Sequence, residues 1–127
     1  MTFYHASPLM LPKLIERFEL AYKELEAPKS RELYHVLRRH ALFVAARKKG
    51  MSTMDIKRHT DYDHATVLYA SKNHEANLTL DWYKASYKYY LKFLSSTEVE
   101  LKKLLIQQQL DELRKESENL KKELENL

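Results

Sequence analysis

Residues 52–70 read STMDIKRHTDYDHATVLYA, and this stretch decides the fold. Ser52 or Thr53 is suited to cap a short helix ending near His59, and Asp55 stands three residues after Ser52, as in a capping box. Thr60, Asp61 and Tyr62 form a turn. Asp63 then caps a second helix over about 64–76, with Val67, Leu68 and Ser71 expected to face inward. Just upstream, Arg47-Lys48-Lys49-Gly50 is a helix stop: basic side chains oppose the negative end of the helix dipole, and glycine accepts a left-handed backbone. Helix, glycine, short helix, turn and helix within some forty residues predict a helix-turn-helix.

Outward from this stretch the pattern stays helical. Leu33, Val36, Leu37, Ala41 and Val44 recur at helical spacing and predict a buried stripe, on a helix that Ser30 caps. Leu11, Leu14, Ile15, Phe18, Tyr22 and Leu25 predict an amphipathic helix over about 9–26, opened by Ser7-Pro8 and closed by Ala27-Pro28. Residues 78–94, LTLDWYKASYKYYLKFL, form an aromatic-rich helix with Thr79 as its expected cap. One side should be buried and edged by tyrosines, and a partner-binding or base-stacking surface is the sharper alternative.

The period changes after residue 95. Val99, Ile106, Leu113, Leu120 and Leu127 recur every seven residues. Lys103, Leu110, Ser117 and Leu124 make the companion column, and Thr97 with Glu100 forms a capping box at the start. The expectation is an all-α chain: a helical domain over 1–95 containing the helix-turn-helix, then a long C-terminal coiled-coil helix over 96–127 that dimerises through 97–127. A single charged helix folded back on the domain is the alternative.

Composition agrees. Among 127 residues there are 1 Gly, 3 Pro and 0 Cys. So few chain breakers argue against an all-β fold. One glycine excludes phosphate-cradling and dinucleotide-binding loops, which need at least two. The missing cysteines exclude disulfides, thiol catalysis and cysteine-ligated metal. The 6 histidines pair poorly: His35 and His40, and likewise His59 and His64, stand five apart, on different sides of a helix. Asp61 and Asp63 are explained by turn and cap duty. No serine sits in a nucleophile context. These readings predict a protein that is not an enzyme, with no cofactor, no metal and no small-molecule substrate. No apolar run approaches the ~18 residues of a membrane span, and the N-terminus lacks a signal-peptide pattern, so no membrane association and a cytoplasmic location are expected.

The formal net charge of +4 is unevenly spread. Residues 29–60 carry Lys29, Arg31, Arg38, Arg39, Arg47, Lys48, Lys49, Lys57 and Arg58 against Glu32 and Asp55. A basic block beside a helix-turn-helix is the footprint of a polyanion binder, although a solvated helix face has the same composition. In such a motif the second helix enters the major groove and reads with its first residues, here Asp63, His64, Ala65 and Thr66. Asp accepts from a cytosine amine, His donates to a purine acceptor, and the Ala and Thr methyls meet a thymine methyl. Arg31, Arg38, Arg39, Lys48, Lys49, Lys57, Arg58 and Lys72 are the candidate phosphate contacts.

Asp63-His64-Ala65-Thr66-Val67-Leu68-Tyr69-Ala70 resembles the DHTTVLHA signature of the C-terminal DNA-binding domain of the bacterial replication initiator DnaA. Upstream, Ser52-Thr53-Met54-Asp55-Ile56 is similar to that family's SLPEI, and residues 38–45, RRHALFVA, to its RQIAMYLA. The resemblance covers about residues 30–77. It implies duplex-box recognition by the second helix, with Asp63, His64 and Thr66 at base-reading positions and Ala65 where the family has threonine. Residues 28–31 loosely stand where the family reaches the minor groove. The turn before Asp63 is one residue shorter than the family's and lacks its glycine pair, and no ATPase module is present. The function expected is sequence-preferring duplex-DNA binding, as a replication or transcription regulator of a phage or mobile element. The competing expectation is a non-enzymatic helical adaptor that binds protein through the aromatic helix and the coiled coil.

Overall fold

A computed structural model describes residues 11–25 and 31–127 of the chain. Ser7-Pro8, Ala27-Pro28, Lys29 and Ser30 lie outside them. The chain is all-helical, and the described residues contain no strand. Among the described residues six helices follow in order: α1 (Leu11–Lys23), α2 (Leu33–Lys49), α3 (Thr53–Arg58), α4 (His64–Asn77), α5 (Asp81–Leu94) and α6 (Glu98–Glu125). They divide into two compact units, Met1–Ser95 and Ser96–Leu127.

In the first unit α2 is the hub, packed against α1, α3, α4 and α5. It is buried on more than the one stripe its sequence suggests. Leu37, Ala41, Leu42, Phe43, Ala45 and Ala46 are all buried, whereas Val44 is half-buried and Leu33, expected inside, is exposed. The small residues explain how this is possible: Ala41, Ala45 and Ala46 let neighbouring helices approach on several sides. Phe43 is the centre of a ring cluster, 6.3 Å from Phe18, 6.5 Å from Tyr22 and 5.7 Å from Tyr62. Ile56, Val67, Tyr83 and Phe93 complete the core from α3, α4 and α5. Burying one such side chain is worth about 1.5–3 kcal/mol.

The helix ends follow local chemistry. Gly50 closes α2 with φ 116°, and Met51 donates its N–H to the Ala46 carbonyl across it. Glu32 stands at the start of α2 without a side-chain cap, in place of the expected Ser30. Ser52 and Asp55 form the reciprocal capping box of α3, each bond 3.0 Å long. Leu80, not Thr79, precedes α5; the Thr79 hydroxyl instead donates back to the Ala76 carbonyl at 2.8 Å, closing the end of α4.

α5 hides its aromatic side chains selectively. Tyr83, Tyr90 and Phe93 are buried, and each buried hydroxyl has a partner. Tyr83 Oη lies 2.7 Å from His74 Nδ1 on α4, and Tyr90 Oη accepts from Arg38 on α2 at 3.1 Å. Burial, reinforced by Tyr87, pushes the Tyr83 phenol up to about 12.

The second unit is α6. Thr97 and Glu100 close its start with a reciprocal capping box. No residue of this helix is buried, and its leucines at 110, 113, 120 and 124 stay half or more exposed. No helix among the described residues is long and apolar enough to cross a membrane.

Candidate nucleic-acid interface

The site begins with α3, a helix of only six residues. Its capping box stabilises the first turn, and Ile56 anchors it in the core. That leaves Lys57 and Arg58 outside: both are exposed, with Arg58 3.7 Å from Asp55 on the same helix. His59 ends α3, and its Nδ1 meets the Glu19 carboxylate of α1.

The connection to α4 is held by its own side chains. Thr60 donates its hydroxyl to the Ile56 carbonyl at 2.8 Å and accepts the Tyr62 N–H at 3.2 Å. The Tyr62 ring lies against Phe43 and under the Arg39 guanidinium, 5.0 Å from the ring centroid. An aromatic ring thus pins the turn between α3 and α4.

Asp63 starts α4. Its Oδ1 accepts the Thr66 N–H at 2.9 Å and the Thr66 hydroxyl at 2.8 Å. These two bonds, with Lys57 nearby, hold the Asp63 carboxyl below its ordinary range. Val67 and Ala70 face the core, which turns His64, Ala65, Leu68, Tyr69 and Lys72 outward on one face, four residues apart in two rows. Leu68 was expected to face inward and is exposed at 44%; with Val67 and Ala70 already buried, the helix has no further face toward the core. Tyr69 is 61% exposed and meets His40 edge-on at 6.0 Å.

The four base-reading candidates therefore share the start of α4. Asp63, His64 and Ala65 are exposed, and Thr66 is half-buried with its hydroxyl proton committed to Asp63. Of the eight phosphate candidates, Arg31, Lys48, Lys57, Arg58 and Lys72 are exposed and Lys49 is half-exposed. Arg38 and Arg39 are corrections. Arg39 is 5% exposed and braces Tyr62, while Arg38 is half-buried and donates to Tyr90 Oη. Both serve the packing of α2 and are less open to solvent than the exposed candidates. Arg47 is exposed near Lys48 on the last turn of α2 and joins the outward basic set.

Leu68 and Tyr69 share this outward face with the candidates, and sequence reasoning did not single them out. Counting four onward from His64 and Ala65 finds them. Among the described residues no three His, Asp or Glu side chains gather to hold a metal ion.

Comparison with models of protein families, with curated proteins and with solved structures finds no match. The functional reading therefore rests on the residues and their geometry.

Proposed function

We propose that the Met1–Ser95 unit binds duplex DNA with a sequence preference, as a helix-turn-helix in which α4 enters the major groove. The observation that carries this reading is the outward face of α4. His64, Ala65, Leu68, Tyr69 and Lys72 line up on it, and the exposed Lys57 and Arg58 of α3 stand just before it in the chain. The likeness of residues 63–70 to the replication-initiator signature supports the same reading.

The division of labour follows from chemistry. Lys57, Arg58, Lys72, Lys48 and Arg31 neutralise phosphates and fix the register of the helix on the duplex. His64 donates to a purine N7 or O6. Ala65, Leu68 and the Thr66 methyl suit thymine methyl groups. The Thr66 oxygen and the second Asp63 oxygen can still accept from an exocyclic amine. No step in this reading needs a cofactor. The chain would serve as a regulator of replication or transcription, working as a pair joined through α6.

Selection of bound duplexes from a random pool tests this directly. An enriched motif, with affinity falling about 500-fold between 50 and 200 mM salt, is the expected result for the five phosphate contacts named. No enrichment and no salt slope would refute it.

One observation favours a second reading. Tyr34 and Trp82 lie 5.1 Å apart and are 46% and 36% exposed, an aromatic pair at the surface between α2 and α5. An adaptor would use such a pair as an anchor for a protein partner. It would show no salt-dependent affinity for DNA.

A further inference from the structure

The seam of α6 is exposed and narrow. Val99, Ile106, Leu113 and Leu120 stand at heptad position d, and Lys103, Leu110, Ser117 and Leu124 at position a. Each apolar member of this set is half or more exposed. Leu101, Leu104 and Leu105 lie on other faces of the helix and are less exposed. The residues flanking the seam are all polar: Glu100, Gln107, Arg114 and Lys121 at e, and Lys102, Gln109, Glu116 and Glu123 at g. An apolar stripe limited to a and d is the seam of a two-stranded coil. A shallow groove along it is lined by Leu113, Ser117, Leu120 and Leu124.

We infer that α6 pairs with α6 of a second copy of this chain, antiparallel and overlapping along its whole length, as a two-stranded coil. The inference rests on the reading that the tail dimerises and is independent of DNA binding. An antiparallel pair sets a against d, g against g and e against e. Full overlap puts the two-fold axis level with the midpoint of Glu98–Glu125, between residues 111 and 112. The heptads mesh in that same register. Val99 faces Leu124, Lys103 faces Leu120, Ile106 faces Ser117 and Leu110 faces Leu113, each twice. On the flanks Lys102 meets Glu123 and Glu100 meets Lys121, again each twice. Gln109 meets Glu116 and Gln107 meets Arg114, so no like charges oppose on either flank. Glu100 accepts the Thr97 N–H through Oε2, which leaves its other oxygen for the lysine.

The competing arrangements lose on the seam, on the flanks or on overlap. A parallel pair brings each a residue onto its own copy, so Lys103 stacks on Lys103 and Ser117 on Ser117. Its g-to-e contacts include one unlike-charge pair, Glu116 with Lys121, where the antiparallel coil has two. Sliding the antiparallel pair by one heptad one way sets Glu116 on Glu116 and Arg114 on Arg114. Sliding it the other way leaves the last heptad of each helix without a partner. In the full-overlap register each polar seam residue faces an apolar one, and Lys103 can lay its stem over Leu120 with its ammonium at the wet edge. The two α6 starts then stand at opposite ends of the coil, roughly 40 Å apart at 1.5 Å rise per residue.

Thiol pairing tests orientation and register together, because the chain has 0 Cys and each introduced thiol is unique. The full-length variants Lys103→Cys and Leu120→Cys are equilibrated in glutathione buffer, alone and as an equal mixture. Only facing seam positions come within the ~4.4–6.8 Å Cα span of a disulfide. The mixture should give mainly 103–120 links by peptide mass analysis. Either variant alone should give few links, since its two thiols stand about 25 Å apart along the coil. Dominant 103–103 and 120–120 links would overturn the antiparallel inference and leave the dimer standing. A dimer with none of these links would overturn the register. A monomer in sedimentation at tens of micromolar would overturn the dimer too, and would leave the DNA reading to its own salt-slope test. A second arm uses charge. Glu123→Lys should weaken dimerisation about fivefold to tenfold at low salt, from two surface contacts turned repulsive, and adding Lys102→Glu should restore it. In a parallel pair Glu123 has no facing residue, so unchanged dimerisation by Glu123→Lys would contradict the antiparallel arrangement.

Discussion

The Asp63 carboxylate holds Thr66 twice, through its backbone N–H and through its hydroxyl, both on Oδ1. One side chain thereby satisfies an orphan donor of α4 and fixes the rotamer of a neighbour at the candidate reading edge. Asp63→Ala should lower the unfolding midpoint of the chain, and Thr66→Val, which keeps the backbone bond, should lower it less. The pH sense follows from the depressed carboxyl. A group whose folded pKa lies below its unfolded 3.8 stabilises the fold above 3.8, and this is lost as pH falls through the folded value. The gap in urea midpoint between the parent chain and Asp63→Asn should therefore close under acid.

Arg38 behaves as a core tie. Tyr90→Phe should cost about 1–3 kcal/mol, because a half-buried guanidinium loses its 3.1 Å acceptor. Arg38→Ala should destabilise at least as much, through lost hydrogen bonding and lost packing of its stem. Urea titration of both variants checks this. A fully stable Arg38→Ala protein would return that side chain to the surface set.

His40 and His74 are each pushed below the ordinary histidine value, chiefly by burial, with Arg39 adding to the effect on His40 and Lys48 opposing Glu75 at His74. A histidine whose folded pKa is lowered resists protonation in the fold, so the unfolded chain binds protons first. Stability should hold above pH 6.5 and decline as pH falls from 6.5 toward the folded values. Replacing His74 by Gln should flatten part of that slope, read from unfolding free energies measured every half unit of pH.

Reading and positioning should separate in binding. His64→Ala or Tyr69→Ala should cost about 1–3 kcal/mol on a selected duplex and far less on random DNA. Lys57→Ala should weaken both alike and lower the salt slope by about 1. Fluorescence anisotropy across a salt series distinguishes the two patterns. Equal losses on both duplexes for His64→Ala would strip that residue of a reading role.

Local chemistry was legible in the sequence, and burial was not. The Ser52–Asp55 and Thr97–Glu100 boxes, the Gly50 stop and the Asp63 cap all depend on groups a few residues apart, so spacing alone identified them. Arg38 and Arg39 looked like surface charge because their partners are remote: Tyr90 lies 52 positions away, and Tyr62 reaches Arg39 only after the chain has turned twice. The buried stripe of α2 was misread at Leu33 for a related reason. A helix packed on several sides has no single apolar period, and small residues such as Ala45 and Ala46 give a weak hydrophobic signal while marking the closest contacts. Leu68 failed in the opposite sense, since a leucine at helical spacing reads as core wherever it stands.

Gly50 is the one described residue with positive φ, so among the described residues the stereochemical demand falls on a single α-carbon. An L-alanine there would carry its methyl into the left-handed clash, at a cost of about 1–2 kcal/mol. A D-alanine introduced by chemical ligation would place the methyl on the opposite side and should be accepted. Everywhere else among the described residues the backbone is one that ordinary L-residues adopt freely. Mirror-image substitution thus discriminates one position from the rest, and the joint between α2 and α3 is where inverting chirality would strengthen the protein.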